Sequence, residues 1–102
     1  MRAGLVGAAL LLAAGVACGQ TTAAALQARS LAASCSQCHG SDGRAVAGDA
    51  MAALAGLPQA YIVAQMLAFR EGQRPATVMH QIAKGFSPAQ IDSLAAYFAS
   101  QK

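Results

Sequence analysis

The chain has 102 residues, 56% of them hydrophobic, but only three Phe, two Tyr and no Trp. That suffices for one small domain, and one so poor in large side chains needs a metal, disulfides or a bound group to complete its core. Charged residues are 11% of the chain and the net charge is +3. With no basic and aromatic side chains interleaved on one face, the composition excludes a nucleic-acid binder.

The first twenty residues, "MRAGLVGAALLLAAGVACGQ", carry one early positive charge at Arg2, an apolar run from Leu5 to Ala17, and then small residues. That is the layout of a secretory signal, and the run is too short to favour a membrane span. Residues 1–23 are therefore assigned to an export signal and residues 24–102 to the folded domain, with the periplasm or an equivalent space as its compartment. "GVAC" looks like a bacterial lipoprotein box with cleavage before Cys18, although Gly15 stands where such boxes usually carry leucine. Cleavage after Ala17 or Ala25 is the alternative. Membrane attachment is expected only if Cys18 is lipidated. Losing Arg2 leaves the mature chain at +2, which steers an acidic partner only weakly.

Ala24 to Gln37 reads as a helix, with Ala28, Leu31, Ala32 and Cys35 at spacings of three, four and seven. The glycine-containing stretch "GSDGRAVAGDA" reads as a loop without regular structure. "GLPQAYIVAQMLAFREG" is the next helix, with Pro58 near its first turn and Gly72 past its end. Ile62, Met66 and Phe69 form its core stripe, widened by Val63 and Leu67. A short helix is expected around Thr77 to Lys84, ending at Gly85. The last, "FSPAQIDSLAAYFASQ", has Ser87 as cap, Pro88 in the first helical position and Gln90 placed to close a capping box. Its buried stripe is Ile91, Leu94, Ala95 and Phe98. No strand pattern and no repeat appears, so the expected fold class is all-α.

The decisive motif is "CSQCH", Cys35 to His39. Positions i, i+3 and i+4 of a helix share one face, so Cys35, Cys38 and His39 come together. Two thiols one turn apart can bond two vinyl groups of a porphyrin, with the imidazole beneath the iron, and C-x-x-C-H is read as a c-type haem attachment site. A structural zinc site wants four ligands, commonly in two pairs, and this chain has no second C-x-x-C and one further histidine, His80. A redox dithiol needs an α/β context that is missing, and a simple disulfide leaves His39 unexplained. One covalently attached haem c per chain is thus the expected cofactor, and it would supply the missing core.

Three methionines follow His39 as candidates for the opposite axial position. Met66 lies on a core stripe, and Met51 is too near His39 in sequence to pass around the disc edge. Met79, after a full helix and a turn, has the reach and is favoured. His80 is the rival. His/Met ligation raises the potential relative to bis-histidine and suits an acceptor of electrons from a low-potential donor.

With these residues in hand, the chain resembles a class I cytochrome c, a small all-α fold wrapped around one haem. The likeness runs from "LAASCSQCHGSDG" through "LAGLPQAYIVAQMLAFREGQRPATVMHQIAKGFSPAQIDSLAAYFASQ". The phrase "FREGQRPATVMHQIAKGFS" resembles most nearly the monohaem cytochrome subunit of flavocytochrome c sulfide dehydrogenase, with cytochromes c4 and c553 more loosely similar. The resemblance implies thioethers at Cys35 and Cys38, axial ligands at His39 and Met79, and a haem propionate contact at Arg74, whose guanidinium fork suits a carboxylate. It also implies an FAD-containing flavoprotein partner that oxidises sulfide, so that the chain itself is an electron-transfer subunit and not an enzyme. A soluble or membrane acceptor would take the electrons onward. One departure stands out: family members tend to carry a proline before "LAGL", where this chain has Ala52. A backbone carbonyl there can still accept from His39. An independent or lipid-anchored shuttle, and a haem enzyme or gas sensor with an open sixth position, are the competing readings.

Overall fold

The computed structural model describes residues 21–102. Residues 1–20 of the assigned export segment, Cys18 among them, lie outside the described residues, and Ala23, its last position, already belongs to the first helix. The elements are α1 (Ala23–Ala33), α2 (Ser36–His39), a 3-10 turn (Ser41–Gly43), α3 (Gln59–Arg70), α4 (Met79–Lys84) and α5 (Pro88–Ala99). No strand occurs among the described residues, as an all-α chain requires. No helix among them is long and apolar enough to cross a membrane.

Helix α5 is the centre of the packing. It lies against α1 and α3, while α4 packs on α3. Its start follows the sequence signal closely: Ser87 Oγ accepts from the Gln90 N–H, Gln90 Oε1 accepts from the Ser87 N–H, and Pro88 opens the helix. Ile91, Leu94, Ala95 and Phe98 are all buried, so the expected stripe is the core face. Leu94, Ala95 and Phe98 join Ala32 and Ile62 in one buried cluster, and Leu31, Cys35, Leu54, Val63 and Met66 pack around it. Helix α3 stops in a Schellman arrangement. Gln73 N–H donates to Ala68 O and Gly72 N–H to Phe69 O, with Gly72 at φ 73°.

Three boundaries differ from the sequence reading. The first helix does not run to Gln37: Ser34 closes α1 by donating its hydroxyl to Leu31 O, and the Cys35 N–H turns to Ala32 O, before α2 restarts at Ser36. The expected loop carries a 3-10 turn, within which Asp42 takes a left-handed conformation (φ 53°, ψ 28°) that asparagine and aspartate tolerate better than most residues. The fourth helix begins at Met79 and not Thr77: Val78, at φ −134° and ψ −25°, lies off helical geometry and offers no side-chain cap.

Gly43 shows how tightly the turn meets α5. At φ 76° it is buried, and a Cβ there would stand 2.8 Å from Phe98 Cδ1 and 2.9 Å from Leu54 Cβ. Gly43→Ala is expected to cost about 2–4 kcal/mol from overpacking and left-handed strain, read as a lowered denaturant midpoint of the haem-loaded protein.

Candidate functional site

The attachment motif occupies α2 and the residue before it. Cys35 caps α2 in a helical conformation, and its carbonyl accepts from the N–H groups of Cys38 (3.3 Å) and His39 (2.9 Å). The i, i+3, i+4 geometry read from the sequence is therefore present. Cys35 is half-buried and Cys38 exposed, and both are unbonded thiols. Burial pushes the Cys35 thiol above its ordinary range, with the nearby Cys38 adding to the effect.

His39 is half-buried, and its Nδ1 lies 2.7 Å from the carbonyl oxygen of Ala52. Carrying its proton on Nδ1, the ring donates to that carbonyl and leaves Nε2 with a free lone pair. The residue that replaces the customary proline thus supplies the acceptor through its backbone, which needs no particular side chain.

Two glycines make the turn after His39 possible. Gly40 stands at φ 82°, and a Cβ on it would fall 1.9 Å from Arg44 O. Asp42 between them accepts a hydrogen bond from Tyr97 Oη at 2.5 Å. That hydroxyl is the main reason the Asp42 carboxyl sits below the usual carboxylate range, helped by the charges of Arg44 and Arg29. The same bond is the main cause that raises the Tyr97 phenol. The contact is whole at neutral pH and is lost as acid protonates Asp42 or strong alkali ionises Tyr97. Arg44 completes the ties by donating Nε and Nη2 to the Lys102 carbonyl, at 2.9 and 2.5 Å. Composition and spacing gave no sign of the Tyr97 partnership; the only signal was an aspartate between two glycines in "HGSDG".

The other sequence candidates are spread over α3 and α4. Met79 is the first residue of α4 and half-buried. His80 follows it, with a buried Nδ1 that has no hydrogen-bond partner. Arg74, exposed after α3, donates to Gln65 Oε1 and lies 4.6 Å over the Phe69 ring. Met66 packs on the core, in keeping with its stripe position, while Met51 is 44% exposed.

The residues fit a c-type haem. Two unbonded thiols and an imidazole with an oriented Nδ1 lie in sequence on one helical turn, and a buried polar atom on His80 is orphaned. Large side chains at Tyr61, Val78 and Ile82 are about half exposed, in a domain whose core is otherwise small. No group of three or more His, Cys, Asp or Glu side chains among the described residues is arranged to hold a metal ion by itself.

Fold and motif together define a covalent haem protein of the cytochrome c class. Residues 24–102 match the family model described as cytochrome c, and the chain belongs to that family, whose members bind haem c through paired cysteines and carry electrons. It is 41% identical over 71 residues to the thiosulfate dehydrogenase electron acceptor of Thiomonas intermedia, covering 70% of this chain and 33% of that protein. It is 34% identical over 70 residues to the cytochrome subunit of sulfide dehydrogenase of Chlorobaculum tepidum, covering 69% of this chain and 62% of the relative. The solved cytochrome c4 structure from Acidithiobacillus ferrooxidans superposes with a TM-score of 0.69 at 34% identity, covering 81% of this chain and 52% of that one. The chain thus spans only part of the length of each of these relatives, and the sulfide dehydrogenase subunit is one relative among several.

Proposed function

We propose that the chain is a periplasmic monohaem electron carrier that takes electrons from a dehydrogenase of reduced sulfur compounds, with an FAD-containing sulfide dehydrogenase as the partner. Haem c, when bound, supplies a one-electron ferric/ferrous couple. Cys35 and Cys38 would hold it by thioethers. His39 would bind the iron through Nε2, its ring oriented by the Nδ1 bond to Ala52 O. Met79 would supply the second protein ligand to the iron. Arg74, steadied by Gln65 and Phe69, offers its remaining donors to a propionate.

The observation that carries the electron-transfer reading is the Cys35–Cys38–His39 turn with its oriented imidazole. The sulfide partner rests on the phrase "FREGQRPATVMHQIAKGFS" and on the Chlorobaculum relative. The Thiomonas relative, an acceptor for thiosulfate dehydrogenase by its name, favours a second reading in which the donor oxidises thiosulfate. An independent shuttle, anchored by lipid if Cys18 is modified, is the reading that remains without a dedicated partner.

Affinity capture of the mature cytochrome from its native periplasm separates these readings. The expected result is a co-eluting flavin in stoichiometric amount with haem, and haem reduction on adding sulfide. Reduction by thiosulfate with a flavin-free partner would move the assignment to the second donor, and a lone cytochrome would leave the independent shuttle.

A further inference from the structure

The hydrogen bond that orients the proximal imidazole joins two separate loop segments, and both are tied to α5. The donor, His39, opens the turn Gly40–Ser41–Asp42, and that turn is tied to α5 by Tyr97 Oη donating to Asp42 Oδ1. The acceptor, Ala52, lies just ahead of Leu54 and Ala55, whose N–H groups donate to Gly43 O at 2.8 and 3.1 Å. Gly56 next donates to Phe98 O at 2.9 Å, which ties this second segment to α5 one residue along from Tyr97. Tyr97 and Phe98 meet edge to face, with ring centroids 5.3 Å apart, so the two ties share one platform.

We infer that Tyr97 is a positioning residue for the proximal ligand, acting through Asp42 to hold the His39–Ala52 hydrogen bond in register. The inference rests on the assignment of His39 as the proximal ligand. Two features make the tie consequential. Position 52 lacks proline, so the acceptor segment has no ring to stiffen it there. Asp42 is held at positive φ, a conformation that costs energy in any residue with a side chain and relaxes when its restraint is cut. Without the Tyr97 hydroxyl, Asp42 keeps only its 3.4 Å contact with Arg44 Nη1, the turn loses its side-chain tie to α5, and the distance from Nδ1 to Ala52 O opens. A weaker bond makes the imidazole a poorer electron donor to iron, which favours the ferrous state.

The test is Tyr97→Phe in the haem-loaded protein, which removes one oxygen and leaves every formal charge in place. In the ferrous, diamagnetic form, exchange of the His39 Nδ1–H with solvent is followed by nitrogen-15 NMR beside the backbone amides of α3. The expected result is ring N–H exchange faster by roughly tenfold, in line with loss of a charge-assisted bond, with α3 amides unchanged and an upward shift of the midpoint potential. Unchanged ring exchange, or exchange that rises only in step with the α3 amides, overturns the proposal and leaves Tyr97 a purely structural residue. Asp42→Asn gives a second reading should the first variant fail to mature: it tolerates the left-handed backbone and still accepts from Tyr97, so a smaller acceleration is expected, and none at all counts against the tie. A wild-type His39 ring without the resonance shifts of an iron-bound imidazole would overturn the ligand assignment, and this inference with it, before any substitution is made. Failure of the tie alone leaves that assignment standing.

Discussion

Replacing Cys35 and Cys38 together by alanine is expected to give a chain that carries no covalent haem and does not hold its fold. The first half follows from chemistry, since two thioethers are lost and the remaining imidazole gives no covalent bond. The second follows from the core. Among the described residues the buried apolar side chains are three alanines, two isoleucines, one leucine and one phenylalanine. Burial of that set yields too little to offset the ordering of some eighty residues, each costing about 1–2 kcal/mol. Native domains are stable by only about 5–15 kcal/mol, and a large apolar group withdrawn from the interior exceeds that margin. The check is a haem stain on a denaturing gel together with far-ultraviolet circular dichroism. A helical, cooperatively melting chain without haem would show that the protein core suffices alone.

Met79→Ala is expected to act oppositely: the haem stays attached and the fold survives, but the iron loses its sixth ligand. The reduced protein should then bind carbon monoxide rapidly. Its potential should fall by on the order of 0.1–0.3 V, within the ~0.8 V range that axial ligands span. Met79 opens α4, and α4 is held to α3 by packing and not by the methionine side chain alone, so the loss stays local. His80→Ala is the paired control. An unchanged spectrum in Met79→Ala with a changed one in His80→Ala would transfer the ligand role to the neighbouring imidazole.

What could be read from the sequence was what is written locally. The start of α5 depends on Ser87, Pro88 and Gln90 within four residues, and its buried face on a period of 3.6, so both were legible. The attachment turn was legible for the same reason, because Cys35, Cys38 and His39 need only one helical turn to meet. Acceptance of the His39 proton by the backbone at Ala52 could be anticipated, since an oxygen on the main chain survives loss of the proline. The break at Ser34 could not, because Ala, Ser and Cys are all tolerated in helices and nothing in that local pattern marks a stop. Nor could the pairing of Asp42 with Tyr97, residues 55 apart in sequence. Each has an ordinary surface role when read alone, and only the fold brings them together.

The long-range ties of the attachment turn also bear on the order in which the molecule assembles. The Cys35–His39 turn is closed by bonds within five residues, so it can form as soon as that segment is free. Its restraints come from far downstream: Tyr97 to Asp42 and Lys102 to Arg44, the latter 58 residues apart. A chain emerging from its amino end therefore presents the two thiols before the helix that clamps them exists. Closing so long a loop is the slow part of folding. Such an interval would leave both cysteines accessible for thioether formation before α5 docks on the turn.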